Sequence, residues 1–186
     1  MLLLRDGQWG NRAGCPVLFV HGGPGNSVAD YDAMVGGGRG SANARFFPPH
    51  EFFVVEVDQR GTGKSLPSVR DDVSHMALYK DITIAEMSAD FEAVREHLGL
   101  ETWLVFGGSW GSTLGLDYAE RYPERCLGLI IRGIFLDTEA EFNAMCVGLT
   151  LFHSYCPLLL CTRSLGTVTF GNVWQAARVC ILICPH

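Results

Sequence analysis

The sequence predicts an α/β fold built on a mostly parallel sheet, and three observations point there. Short apolar runs at Cys15 to Val20, Phe52 to Val57, Trp103 to Phe106 and Cys126 to Ile131 have the length and content of buried parallel strands. Helical patterns and turn signals alternate with these strands up to about Cys146, as in a βαβ protein. Each segment of chemical interest lies just past the carboxyl end of a strand, where open parallel sheets place their sites. At 186 residues the chain has the length of one domain and can bury a sizeable core.

Taken in order, the opening Leu2-Leu3-Leu4 is too short for a signal-peptide core and runs into Arg5 and Asp6, so no targeting segment is expected. The Cys15 to Val20 strand ends in His21-Gly22-Gly23-Pro24-Gly25, and Gly36-Gly37-Gly38-Arg39-Gly40 reads as a flexible loop insertion. Phe52 to Val57 ends in Asp58-Gln59-Arg60-Gly61. Thr83 and Glu86 form a capping-box signature. Ile84, Met87, Phe91, Val94 and Leu98 follow at steps of three and four, and Gly99 supplies the C-cap. Trp103 to Phe106 leads into Gly107-Gly108-Ser109-Trp110-Gly111, then a helix from Trp110 to Arg121 that stops before Pro123.

Composition changes sharply near Cys146, which divides the chain into residues 1–145 and 146–186. Residues 147–186 contain no Asp, Glu or Lys, and five of the seven cysteines fall at or after the boundary. A solvated layer keeps its charge, so this tail reads as disordered or non-native sequence. The uncharged span Ala144 to Thr162 raises a membrane helix as the other reading. His153, Ser154 and Pro157 interrupt it, and no clear basic cluster flanks it. Cys15 and Cys126 are expected as buried free thiols in a reducing compartment, which implies a cytoplasmic protein.

A net charge of −6, with no basic stripe interleaved with aromatics, argues against nucleic acid. No cysteine and histidine spacing fits zinc, so neither metal nor cofactor is expected. Gly61-Thr62-Gly63-Lys64-Ser65 invites a phosphate-loop reading. Asp58 stands where such a loop needs its first glycine, and Leu66 takes the third glycine position of a dinucleotide fingerprint. The segment is therefore read as a turn beside the site loops.

The strand-turn-helix around Ser109 carries the chemistry. It fits a nucleophile elbow, in which a tight turn lifts a serine hydroxyl above the sheet, and Gly107 and Gly111 stand where side chains would collide. Acyl transfer also needs two backbone N–H donors aimed at the developing oxyanion. Trp110, at the helix N-terminus, supplies one. The His21-Gly22-Gly23-Pro24-Gly25 loop supplies the other, from Gly22 or Gly23, with Gly23 preferred. His21 reads as a hydrogen-bonded structural residue rather than the base. A serine hydroxyl needs an adjacent base. Only His153 and His186 follow Ser109, and Asp137 with His153 is the sole pairing in the required chain order that begins on a post-strand loop. Nothing around His153 marks a strand end.

These motifs, with Asp58-Gln59-Arg60-Gly61-Thr62-Gly63-Lys64-Ser65 and Arg132-Gly133-Ile134-Phe135, resemble the proline iminopeptidases over roughly residues 5 to 145. Those are α/β-hydrolase serine exopeptidases that remove an N-terminal proline from peptides. The resemblance implies an α/β-hydrolase fold, Ser109 as nucleophile, and oxyanion amides from Trp110 and Gly23. It implies small peptides beginning with proline as substrates. The match fades where the family continues into a helical cap and the later strands that carry its Asp and His. The expectation is a fold stopping short of them, with an apolar strand left unpaired at the far edge of the sheet. Two other readings stay open: another serine acyl hydrolase such as an esterase, and a non-catalytic truncated product.

Overall fold

The structure is a computed structural model that describes residues 5–34, 46–136, 138–139 and 179–182. Six strands form one sheet: β1 (Arg5–Gly10), β2 (Cys15–Val20), β3 (Phe52–Asp58), β4 (Trp103–Gly108), β5 (Cys126–Arg132) and β6 (Val179–Leu182). Their order across the sheet is β1-β3-β2-β4-β5-β6. The four central strands run parallel, and β1 and β6 flank them antiparallel. The helices are α1 (Val28–Met34), α2 (Ile84–His97) and α3 (Trp110–Arg121). Short 3-10 turns occupy Val73–Leu78 and Pro123–Arg125.

Strand alternation splits the core into two layers. Leu18, Val20, Val55, Val57, Val105, Leu129 and Ile131 point to one face, under Phe91 and Val94 of α2 and Leu114 and Tyr118 of α3. Val17, Phe19, Val54, Phe106 and Ile130 point to the other, under Tyr31 of α1 and Phe47 of the loop before β3. Each fully buried side chain of this kind contributes about 1.5–3 kcal/mol relative to exposure. Burial on both faces explains why the strands read as continuous apolar runs rather than alternating ones.

The predicted α2 forms with both halves of its capping box: the Glu86 amide donates to the Thr83 hydroxyl, and the Thr83 amide donates to the Glu86 carboxylate. Leu98 caps the far end, and Gly99 beyond it takes φ +65°, a left-handed conformation that glycine adopts freely. α3 spans the predicted range.

Two expectations are corrected. Cys15 is exposed, because burial along β2 begins only at Val17, two residues into the strand, whereas Cys126 is buried as expected. The far edge of the sheet is not bare. Val179–Leu182 pairs antiparallel with Leu129–Arg132 and so covers that part of the outer edge of β5, which is the general remedy for an exposed strand edge. Among the described residues no helix is long and apolar enough to cross a membrane. The Leu2-Leu3-Leu4 run, the Gly36–Gly40 loop, Asp137, and the Ala144 to Thr162 span with His153 lie outside the described residues.

Candidate active site

The chain leaves β2 toward β3 on one side and returns through β4 to β5 on the other, so the winding reverses between neighbours β2 and β4. At such a reversal the loops after the two strands part and leave a crevice. The loop after β2 is His21-Gly22-Gly23-Pro24-Gly25, and the turn after β4 is the elbow at Ser109.

Ser109 has φ 55° and ψ −127°, the only non-glycine positive φ among the described residues. Such a backbone costs of order 1–3 kcal/mol and persists only where the surroundings enforce it. Here they do. A Cβ on Gly107 would lie 2.1 Å from the Gly111 carbonyl oxygen, and one on Gly111 would lie 2.3 Å from that of Val20. The Ser109 amide donates to the Arg132 carbonyl at 3.1 Å, fixing the turn to the end of β5. The Ser112 amide and hydroxyl both donate to the Ser109 carbonyl, at 2.8 and 2.6 Å. A serine at a helix start ordinarily caps it with its own oxygen. Ser109 makes no such bond, and its side chain is exposed. The hydroxyl is therefore not spent on capping α3.

Gly22 crosses close to this hydroxyl. A Cβ there would sit 3.3 Å from Cβ of Ser109 and 3.8 Å from its Oγ. Gly23 follows with φ +135°, and Pro24 has no N–H to offer. His21 is 1% exposed and fully engaged. Its Nε2 accepts the Gln59 amide at 3.2 Å, so Nδ1 carries the proton and donates to the Gly22 carbonyl at 2.9 Å. Both ring nitrogens are thus engaged within the two loops.

Burial pushes the His21 pKa below its ordinary value, outweighing the opposing pull of the Gly22 carbonyl, Asp58 and Asp30. The unfolded ring titrates near about 6.5. Below that pH the unfolded chain takes up a proton that the folded chain refuses, so stability falls as pH drops through about 6.5. Urea midpoints at neutral and mildly acidic pH should show the decline, and ring NMR should show His21 titrating below the ordinary histidine range. A folded-state His21 titrating at the ordinary value would contradict it.

The Gly61–Ser65 turn uses its amides internally. The Asp58 carboxylate accepts the Lys64 amide at 2.9 Å and the Val28 amide at 2.8 Å, while the Ser65 hydroxyl donates to the Asp58 carbonyl. A Cβ on Gly63 would meet that carboxylate at 2.3 Å. The place a phosphate would need is filled by the protein's own anion. On the other side, the Thr113 hydroxyl donates to the Phe135 carbonyl and the Phe135 amide donates to the Ser112 hydroxyl, which holds the Gly133–Phe135 loop against α3.

Sequence reasoning did not single out Gln59. Its carboxamide donates to the His21 carbonyl at 2.8 Å and accepts the Trp110 indole N–H at 3.2 Å. The only legible hint was its position one residue past β3. Arg132, whose guanidinium donates to the Tyr31 hydroxyl and lies 5.6 Å over its ring, was noted only as part of a motif.

Residues 16–147 match the alpha/beta hydrolase fold family. A proline iminopeptidase of Neisseria meningitidis is 46% identical over 132 residues, covering 71% of this chain and 36% of that protein. One from Arabidopsis thaliana is 43% identical over 136 residues, covering 73% and 31%. The chain thus spans about a third of the length of the curated relatives it matches. Among solved structures, a proline iminopeptidase-related protein of Thermus thermophilus superposes with a TM-score of 0.51 at 25% identity, over 69% of this chain and 39% of that one. A marine microorganism esterase reaches 0.52 at 22% identity, over 70% and 41%, and shares the fold. With its parallel sheet, its reversal between β2 and β4 and its strained serine turn, the chain belongs to the α/β-hydrolase family and carries the N-terminal stretch in which it is similar to proline iminopeptidases.

Proposed function

We propose that this chain carries the nucleophile half of a serine aminopeptidase that releases N-terminal proline from small peptides. One observation carries the chemistry: Ser109 is exposed, uncapped and held in a strained turn at the crevice between β2 and β4. The similarity to proline iminopeptidases, at 43–46% identity, supports the substrate class.

In this reading the Ser109 oxygen attacks the carbonyl of the terminal proline as its proton passes to a histidine base. The oxyanion receives the Trp110 amide, at the start of α3, and the Gly23 amide. Because the His21 ring draws the Gly22 carbonyl to itself, the amide of Gly23 on the same trans peptide points the opposite way. Gly107, Gly111, Gly22 and Pro24 shape the two loops and take no part in the chemistry. The peptide amine leaves with the proton from the histidine, and water then hydrolyses the prolyl ester on Ser109. The base and its orienting acid belong to parts of the fold beyond the described residues. We take residues 1–145 as the N-terminal part of the hydrolase core, supported by the match over 16–147. The buried thiol of Cys126 supports a reducing compartment, the cytoplasm.

A longer polypeptide that joins these residues to the base and acid of the fold should release p-nitroaniline from proline p-nitroanilide, and Ser109→Ala in it should lower that rate by roughly 10⁴-fold or more. Hydrolysis of p-nitrophenyl esters with the proline arylamide left intact would replace the peptidase reading with an esterase one. Activity that survives Ser109→Ala would end both.

A further inference from the structure

Gln59 sits on a different strand end from both amides assigned to the oxyanion, yet it touches the holder of each. It is 2% exposed and uses its backbone and both ends of its side chain. The Gln59 amide sets the His21 tautomer, and the His21 ring then holds the Gly22 carbonyl. The carboxamide N–H grips the His21 carbonyl at the base of the same loop, and the carboxamide oxygen takes the Trp110 indole proton. An indole N–H only donates, so the amide has one orientation that satisfies both contacts.

We propose that Gln59 is a positioning residue that fixes the spacing between the Gly23 and Trp110 amides. The inference rests on the proposed use of those amides. It commits to more, namely that the two loops are registered through one carboxamide rather than each by its own backbone. Neighbouring strands alone do not fix the loops beyond their ends: the last β2–β4 pair is Val20 with Gly107, and both amides lie past it. A side chain spanning the gap supplies what the ladder does not. Buried polar networks of this kind hold geometry when every member is satisfied, and a displacement of about 1 Å at reacting atoms can cost roughly 100-fold in rate.

Three chains test this: wild type, Gln59→Leu, which removes both side-chain bonds, and Trp110→Phe, which removes only the indole donor. Backbone amides and the indole N–H are followed by NMR, and Ser109 is titrated with a fluorophosphonate to separate the maximal labelling rate from the binding constant. In folded Gln59→Leu the Trp110 indole proton should lose its exchange protection, and the Gly22, Gly23 and Trp110 amides should all shift. The maximal labelling rate should fall roughly 10- to 100-fold with the binding constant nearly unchanged. Trp110→Phe should shift the Gly22 and Gly23 amides although it touches neither. That response decides the matter if Gln59→Leu does not fold. Unmoved Gly22 and Gly23 amides in a folded variant overturn the proposal, as does a labelling rate equal to wild type. A wild-type chain that takes up no fluorophosphonate counts against the serine hydrolase reading, while the NMR response still decides for or against Gln59.

Discussion

Ser109→Gly is expected to make the fold more stable while ending every reaction at this position. The two effects have separate origins. At φ 55° and ψ −127° the serine Cβ crowds the backbone, and glycine removes that conflict at a gain of order 1–3 kcal/mol. Against this stands the greater freedom of glycine in the unfolded chain, which costs about 0.4–1 kcal/mol. Little else is lost, since the hydroxyl caps nothing and is exposed. The net gain should be about 1 kcal/mol, read as a higher urea midpoint at unchanged slope. Fluorophosphonate uptake at this position should vanish. A variant less stable than wild type would mean that the turn is not under strain. Function and stability pull in opposite directions at one residue, as sites holding an enforced backbone commonly show.

Gly111→Ala should be among the most damaging single methyl additions available here. The new carbon would lie 2.3 Å from the Val20 carbonyl oxygen and 3.0 Å from that of His21. Both are backbone atoms at or just past the buried end of β2, so relief requires α3 to move off the sheet. A cost of about 3 kcal/mol or more is expected, the upper end for overpacking. Gly115→Ala, one turn along the same helix, is the internal comparison. Its Cβ would meet side-chain methyls of Leu129 and Val105 at 3.3 Å, which can yield by a few tenths of an ångström. Alanine also gains about 0.8–1 kcal/mol of helix propensity over glycine, so the change should stay within about 1 kcal/mol of wild type. Urea unfolding of the two variants separates steric closure at the elbow from a general intolerance of larger residues. Equal costs at 111 and 115 would refute it.

What could be read from the sequence was what depends on neighbours in the chain. The β2 range emerged in full because six residues carry an apolar run bounded by turn signals. The α2 start emerged because Thr83 and Glu86 satisfy each other within one turn. Ser109 was legible because its turn demands glycine two residues away on either side. What escaped depends on contacts between distant segments. Gln59 bonds to residues 38 and 51 positions away, and no local pattern encodes that. Cys15 sits in an apolar run yet lies outside, because the cover over β2 begins two residues later. The pairing of Val179–Leu182 with β5 was missed because the surrounding composition drew attention away from four apolar residues suited to a strand.

The placement of β2 beside β4 also bears on the order in which the molecule takes shape. The glycine loop is synthesised early, but its second wall arrives only after the intervening crossover, β4 and the first turn of α3 have been made. Until then Val17 to Val20 has no partner on that side, and an apolar strand waits in the open. Long-range pairing of this kind slows folding and leaves nascent chains in need of shielding. Synthesis halted before Gly111 should leave a polypeptide that chaperones retain, whatever its catalytic fate.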